Sequence, residues 1–148
     1  MNNRILIIDD EPYVVEMLKT FLVDLSNEIR GLTSSRDVER EFLQFEPDLI
    51  LLDLHMPDPD GLEILRRLGG VRERLGFVPI IVLTGDVART ARYSSLILGA
   101  DDFLVKPLDR TEVILRVRNL LRTRHLTLEL AAAREAAERP GHQSPPVT

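Results

Sequence analysis

Residues 5–12 read ILIIDDEP: four aliphatic residues, three consecutive acids and a proline. An uninterrupted apolar run of this length suits a strand covered on both faces, as in a parallel sheet. Burying one carboxylate is costly, and crowding several adds mutual repulsion unless a cation joins them. A buried strand that ends in Asp9, Asp10 and Glu11 therefore asks for a positive partner.

Further runs of the same kind recur at Leu49–Leu52, Pro79–Leu83 and Phe103–Val105, with a weaker candidate at Glu28–Leu32. Between them lie helical stripes: Val15, Leu18, Leu22 and Leu25; Val38, Phe42 and Phe45; Leu62, Leu65 and Leu68; Ile114, Val117 and Leu121. Pro12 fits the first turn of a helix, where its missing N–H costs nothing. Asp109 with Glu112 resembles a capping box that opens the last helix. Pro47, Pro57, Pro79 and Pro107 mark breaks between elements. Five βα units in succession predict a doubly wound α/β domain with helices on both faces of its sheet.

The chain of 148 residues is long enough for one sizeable core. It has no cysteine, which excludes disulfides and thiolate metal sites. A net charge of −5 gives no electrostatic reason to expect nucleic-acid binding. The first residues lack a signal-peptide pattern, and no apolar run nears the ~20 residues that span a bilayer. A cytoplasmic protein without membrane contact is the expectation.

In an open α/β sheet, ligands bind beyond the carboxyl ends of the strands, where the strand order reverses. Asp9 and Asp10 end the first strand, Asp53 the third and Thr84 the fourth, while Lys106 follows the fifth. If the first and third strands are neighbours, three carboxylates meet at one edge. Mg²⁺ takes oxygen ligands, accepts one or two carboxylates and keeps waters and substrate phosphate. An aspartate can act as nucleophile and form an aspartyl phosphate, with a divalent ion, a lysine and a hydroxyl to neutralise and orient the phosphoryl group.

The motifs IIDDEP (7–12), LLDLHMPDPDG (51–61), IIVLTG (80–85) and GADDFLVKP (99–107) closely resemble the receiver domain of two-component response regulators. The likeness covers Arg4 to about Arg124 and keeps the family's order and spacing. It implies a flavodoxin-like five-stranded parallel sheet of order 2-1-3-4-5 and a receiver domain over 1–124; beyond it the composition reads as a helical extension over 125–139 and a disordered tail, PGHQSPPVT, over 140–148. The likeness implies that Asp53 is the phospho-acceptor, that Asp10 ligates Mg²⁺ directly, and that Asp9 acts through a metal-bound water. His55 would offer its backbone carbonyl to the metal, with its side chain at the mouth of the site. Thr84 resembles the switch hydroxyl, Phe103 the aromatic that moves with it, and Lys106 the lysine that pairs with the acceptor and then with phosphoryl oxygens. The Lys106–Pro107 bond would be cis. The domain would catalyse its own phosphorylation and dephosphorylation and turn over no metabolite, with a sensor histidine kinase or a phosphotransfer protein as partner. A phosphorylation-independent interaction module on the same fold is the alternative.

Three positions depart from the family's habit. Pro59 stands where methionine is frequent, Gly85 follows Thr84 where alanine is frequent, and Phe103 lacks a tyrosine's hydroxyl. Arg116 and Asp101 match positions that one branch uses for dimer salt bridges across the fourth helix, fifth strand and fifth helix. Leu96 and Ile97 make that face more apolar than the branch usual, which points to a partner or a second copy there. Arg116, Arg118, Arg122 and Arg124 alternate around a helix with acids nearby and read as a solvated face. From Arg110 the helical pattern finds no stop until Arg139-Pro140-Gly141, and Leu126, Leu130, Ala133 and Ala137 form a narrow apolar stripe. That surplus helix is either a coiled-coil arm through which the chain homodimerises or a linker to an output domain.

Overall fold

The computed structural model describes residues 3–57, 59–85 and 99–139. Its strands are β1 (Arg4–Ile8), β2 (Glu28–Leu32), β3 (Leu49–Asp53), β4 (Ile80–Thr84) and β5 (Asp102–Val105). All pairings are parallel and the order is β2-β1-β3-β4-β5. The helices are α1 (Pro12–Leu22), α2 (Val38–Phe45), α3 (Gly61–Gly69) and a C-terminal helix, Arg110–Glu138, with a short 3₁₀ turn at Arg72–Leu75. This is the doubly wound, flavodoxin-like sheet expected from the sequence. The helix expected between β4 and β5, with Leu96 and Ile97, lies outside the described residues, as does the tail over 140–148.

The central strands show why their sequences are uninterrupted. Side chains alternate across a strand, and here both faces are covered. Ile5, Ile7, Leu49, Leu51, Ile81 and Leu83 enter the layer under α1 and the C-terminal helix. Leu6, Ile8, Ile50, Leu52, Ile80 and Val82 enter the layer under α2 and α3. The outer strands β2 and β5 are only partly covered, which accounts for the weak signal of Glu28–Leu32. Two helical phases differ slightly from the stripes read in the sequence. Val113 rather than Ile114 is fully buried, and Ile64 joins Leu65 and Leu68 in the core while Leu62 is only partly buried. Pro12 does occupy the first turn of α1, and the Asp109 carboxylate accepts from the Glu112 N–H at 2.9 Å. Among the described residues no helix is long and apolar enough to cross a membrane.

Two arginines depart from the solvated face expected of them. Arg124 is buried: its Nε donates to Asp48 Oδ1 at 2.9 Å and its Nη1 to the carbonyls of Leu75 (3.2 Å) and Phe77 (2.5 Å). The other Asp48 oxygen accepts the Arg4 N–H at 2.7 Å. The physical reason is that the loop before β4 leaves carbonyls facing the helix, and buried carbonyls need donors, which a guanidinium fork supplies. Arg116 pairs with Asp102 at 2.8 Å and with Glu112 at 3.1 Å, whereas Asp101 pairs with Arg72 at 2.9 Å. Both residues matched to dimer salt bridges are thus engaged within the chain.

The C-terminal helix runs without a break across the expected boundary at 124/125. Leu128, beyond that boundary, packs on Gly76, whose φ of +76° is one that L side chains rarely adopt. The extension is therefore fastened to the body by Arg124 and Leu128. Arg124→Ala should lower the unfolding free energy by about 2–3 kcal/mol, because it strips charged hydrogen bonds from Asp48 and leaves two carbonyls short of a donor. Urea unfolding of the full chain measures this.

Candidate functional site

The register of β1 and β3 builds the site. Ile8 is paired with Leu52, so the residues that follow, Asp9 and Asp53, emerge side by side at the carboxyl edge. Asp9 is wholly buried and Asp53 nearly so, while Asp10 is partly exposed. One oxygen from each of the three lies within 4.8 Å of the others. Lys106, delivered after β5, places Nζ 2.9 Å from Asp9 Oδ2 and 3.7 Å from Asp53 Oδ2. The lysine thus sits closer to Asp9 than to the acceptor candidate Asp53. Its backbone N–H donates to the Thr84 carbonyl at 2.7 Å, and its bond to Pro107 is cis.

Backbone amides complete the cluster. Asp9 Oδ1 accepts from the Glu11 N–H at 2.9 Å, and Asp53 Oδ1 accepts from the His55 N–H at 3.0 Å. Below the loop, Gly61 makes a close approach that no side chain would permit. A Cβ there would overlap the Asp53 carbonyl oxygen and the Leu54 Cα. Thr84 is buried at the end of β4, and its Oγ1 lies 3.4 Å from His55 Nε2, with donor and acceptor set by the imidazole tautomer. The His55 ring therefore reaches the hydroxyl as well as the mouth of the site. Phe103 is partly buried against the layer that contains Val82. At Gly85 a Cβ would meet no described atom within 4 Å.

Glu11, for which the sequence suggested no task, is also part of the rim. Its amide serves Asp9, and its carboxylate accepts from the exposed Tyr13 hydroxyl, which raises the pKa of that phenol. A tyrosine two residues after the acids was the available signal, but nothing in spacing alone directs it back toward Glu11.

Electrostatics follow from burial. The Asp53 pKa is raised, chiefly by desolvation, with the Asp9 charge and a hydrogen bond that the protonated Asp53 carboxyl donates to Asp10 adding to it. The His55 amide and Lys106 act in the opposite sense. For Lys106, burial favours the neutral amine, but the Asp9 hydrogen bond and the charges of Asp53, Asp9 and Glu11 together outweigh it, and its pKa is raised. Three carboxylates against one ammonium leave negative charge in excess. The donors are all oxygen, two of them buried and one accessible. Such a set fits a hard divalent cation such as Mg²⁺ and not a thiophilic metal.

The chain belongs to the response regulator receiver domain family, whose model matches residues 5–118. Phosphorylation-based signalling is the business of that family. Among curated relatives, the TorCAD operon transcriptional regulatory protein TorR of Escherichia coli O157:H7 is 40% identical over 122 residues, covering 82% of this chain and 51% of TorR. The chain spans about half the length of the curated relatives it matches. Among solved structures, a putative response regulator from Chloroflexus aurantiacus J-10-fl aligns with a TM-score of 0.74 at 30% identity, covering 82% of this chain and 99% of that one. The BeF3-activated N-terminal receiver domain of Klebsiella pneumoniae RstA aligns with a TM-score of 0.72 at 27% identity, covering 81% and 99%.

The raised Asp53 pKa carries a sign that can be checked. The folded state holds the Asp53 proton more tightly than the unfolded state, so this group's contribution to stability falls as pH rises through the raised value and stays low above it. In the presence of a chelator, Asp53→Asn should therefore have a higher urea midpoint than the parent at pH 7. That advantage should shrink as the pH is lowered through the folded-state pKa toward the ordinary carboxylate range.

Proposed function

We propose that the chain is a phosphorylation-dependent switch that takes a phosphoryl group onto Asp53. The observation that carries this reading is a buried Asp53 carboxylate beside a second buried carboxylate, with an ammonium between them and an accessible third acid at the rim. In this reading Asp10, Asp53 and the His55 carbonyl would hold Mg²⁺, and Asp9 would support the ion through water while it keeps Lys106 in place. Bound Mg²⁺ would neutralise the excess negative charge that otherwise repels an incoming phosphoryl anion.

The chemistry is an in-line transfer. An Asp53 carboxylate oxygen forms a bond to phosphorus as the bond from phosphorus to a donor imidazole nitrogen breaks, and the nitrogen leaves with the electron pair. Lys106 is 3.7 Å from Asp53 and needs only a small displacement to reach a phosphoryl oxygen. The Thr84 hydroxyl, now 3.4 Å from His55 Nε2, would leave that contact to donate to the phosphoryl group. Phe103 would follow it inward and bias the face made by β5 and the C-terminal helix.

The donor class is a phosphohistidine protein, either a sensor kinase or a phosphotransfer protein, in the cytoplasm. Nucleic-acid contact is not part of the proposal for these residues, which carry a net charge of −5. The chain would thus pass its state to a partner or to an output domain, with no turnover of a metabolite.

Acetyl phosphate with Mg²⁺ should add one phosphoryl group per chain, read by intact mass, and a chelator should block the addition. Asp53→Asn should give none, and Lys106→Ala should slow the gain by about 100-fold. Equal, measurable incorporation by Asp53→Asn and the parent would refute the assignment to Asp53, and a parent that takes up no phosphoryl group would favour the interaction module.

A further inference from the structure

The far end of the C-terminal helix has a face that the receiver body does not use. Val113, Val117, Leu121 and Arg124 face the body. At about 100° per residue, Leu126, Leu130, Ala133 and Ala137 lie about 165° around the helix from that set. Leu126 is 56% exposed and Leu130 54%, and both alanines are exposed. These four are spaced by four, three and four residues, the a/d rhythm of a coiled coil, with Leu126 and Ala133 at d and Leu130 and Ala137 at a.

The flanking charges select the occupant. In that register Glu129 falls at g and Arg134 at the following e position. In a parallel, in-register pair, g of one helix meets the following e of the other, so Glu129 would meet Arg134 of the second copy, twice by symmetry. An antiparallel pair would instead set g against g and e against e, opposing like charges. Within one chain Glu129 contacts His125 at 3.0 Å on an exposed surface, a weak restraint that leaves its second oxygen available.

The body permits the approach. Arg124 and Leu128 fix the rotation of the helix on its own domain, with Leu130, Ala133 and Ala137 on the outer side and Leu126 at the rim of a groove that Asn3 and Leu25 also line. A second helix can therefore lie along the stripe with the two bodies on opposite outer sides. We propose that residues 126–137 form a parallel, in-register two-stranded coiled coil between two copies of this chain. Two leucines and two alanines make a short seam, so the association is concentration-dependent rather than obligate. It uses none of the residues of the phosphoryl site and does not rest on the switch reading.

Sedimentation equilibrium of the full chain, without Mg²⁺ or phosphodonor, tests it. The parent should show a monomer–dimer equilibrium, and Leu126→Lys with Leu130→Lys should weaken it about tenfold or more. Glu129→Arg alone and Arg134→Glu alone should each weaken self-association, while an equimolar mixture of the two should recover it. Because the parent has no cysteine, orientation can be read by oxidation. Ala133→Cys and Ala137→Cys should each form a disulfide with its own copy, and Ala131→Cys, on the opposite face, should not. A parent that stays monomeric, a dimer indifferent to the lysine pair, or failure of either seam cysteine to cross-link overturns the proposal.

Discussion

The ion pair between Lys106 and Asp9 is the contact on which the arrangement of the sheet's carboxyl edge depends. Two carboxylates are buried there within 4.8 Å of one another, and an uncompensated pair of that kind would open the edge to water. One ammonium, 2.9 Å from the first and 3.7 Å from the second, makes their burial tolerable without cancelling their charge. The compensation is deliberately incomplete in its chemistry. The residual negative charge is what gives a divalent cation a reason to enter. Asp9 itself is held by Lys106 on one oxygen and by the Glu11 amide on the other. It is therefore placed to organise the edge rather than to react, whereas Asp53 keeps its longer contact to the lysine and a raised pKa.

The geometry that brings these groups together comes from register and topology rather than from local motifs. Parallel pairing of β1 with β3 sets Ile8 beside Leu52, and each strand then runs out into an acid. Pairing of β4 with β5 puts Thr84 opposite Val105, so the next residue is Lys106 and its amide bonds the Thr84 carbonyl. A one-residue slip in either pair would send these side chains to the opposite face of the sheet. Ile5–Ile8 and Leu49–Leu52 are buried on both sides of the sheet, so a slip would draw a flanking charge, Arg4 or Asp9 in one strand and Asp48 or Asp53 in the other, into an apolar layer.

That same two-sided burial made the centre of the fold legible from the sequence. Where every residue of a strand is buried, the run is apolar and its end is marked by the first acid. β2 was harder to see because it lies at an edge, with Glu28 and Arg30 exposed along it. The acids, the hydroxyl and the lysine of the rim could be listed from strand ends, but not their distances. Nothing in the sequence says that Lys106 would lean toward Asp9, or that the His55 ring would reach Thr84. Arg124 shows the limit most clearly. An arginine among other arginines on a helix reads as solvated, and only the carbonyls of Leu75 and Phe77, fixed by a loop 47–49 residues away, make it a buried donor.

The two ends of β3 also divide the labour of the molecule. Asp53 ends it at the acidic cluster on the carboxyl edge, while Asp48, just before its amino end, anchors Arg124 of the C-terminal helix. That helix begins near the site, three residues after Pro107, is tied to β5 by Arg116 and Asp102, and is tied again at the opposite edge by Arg124. A helix held at both ends of the sheet cannot rotate freely about its axis. The direction in which its exposed stripe points is consequently a property of the receiver body and not of the extension. The surplus turns beyond Arg124 leave Leu126 and Leu130 exposed because the buried side is already fixed by Val113, Val117, Leu121 and Arg124.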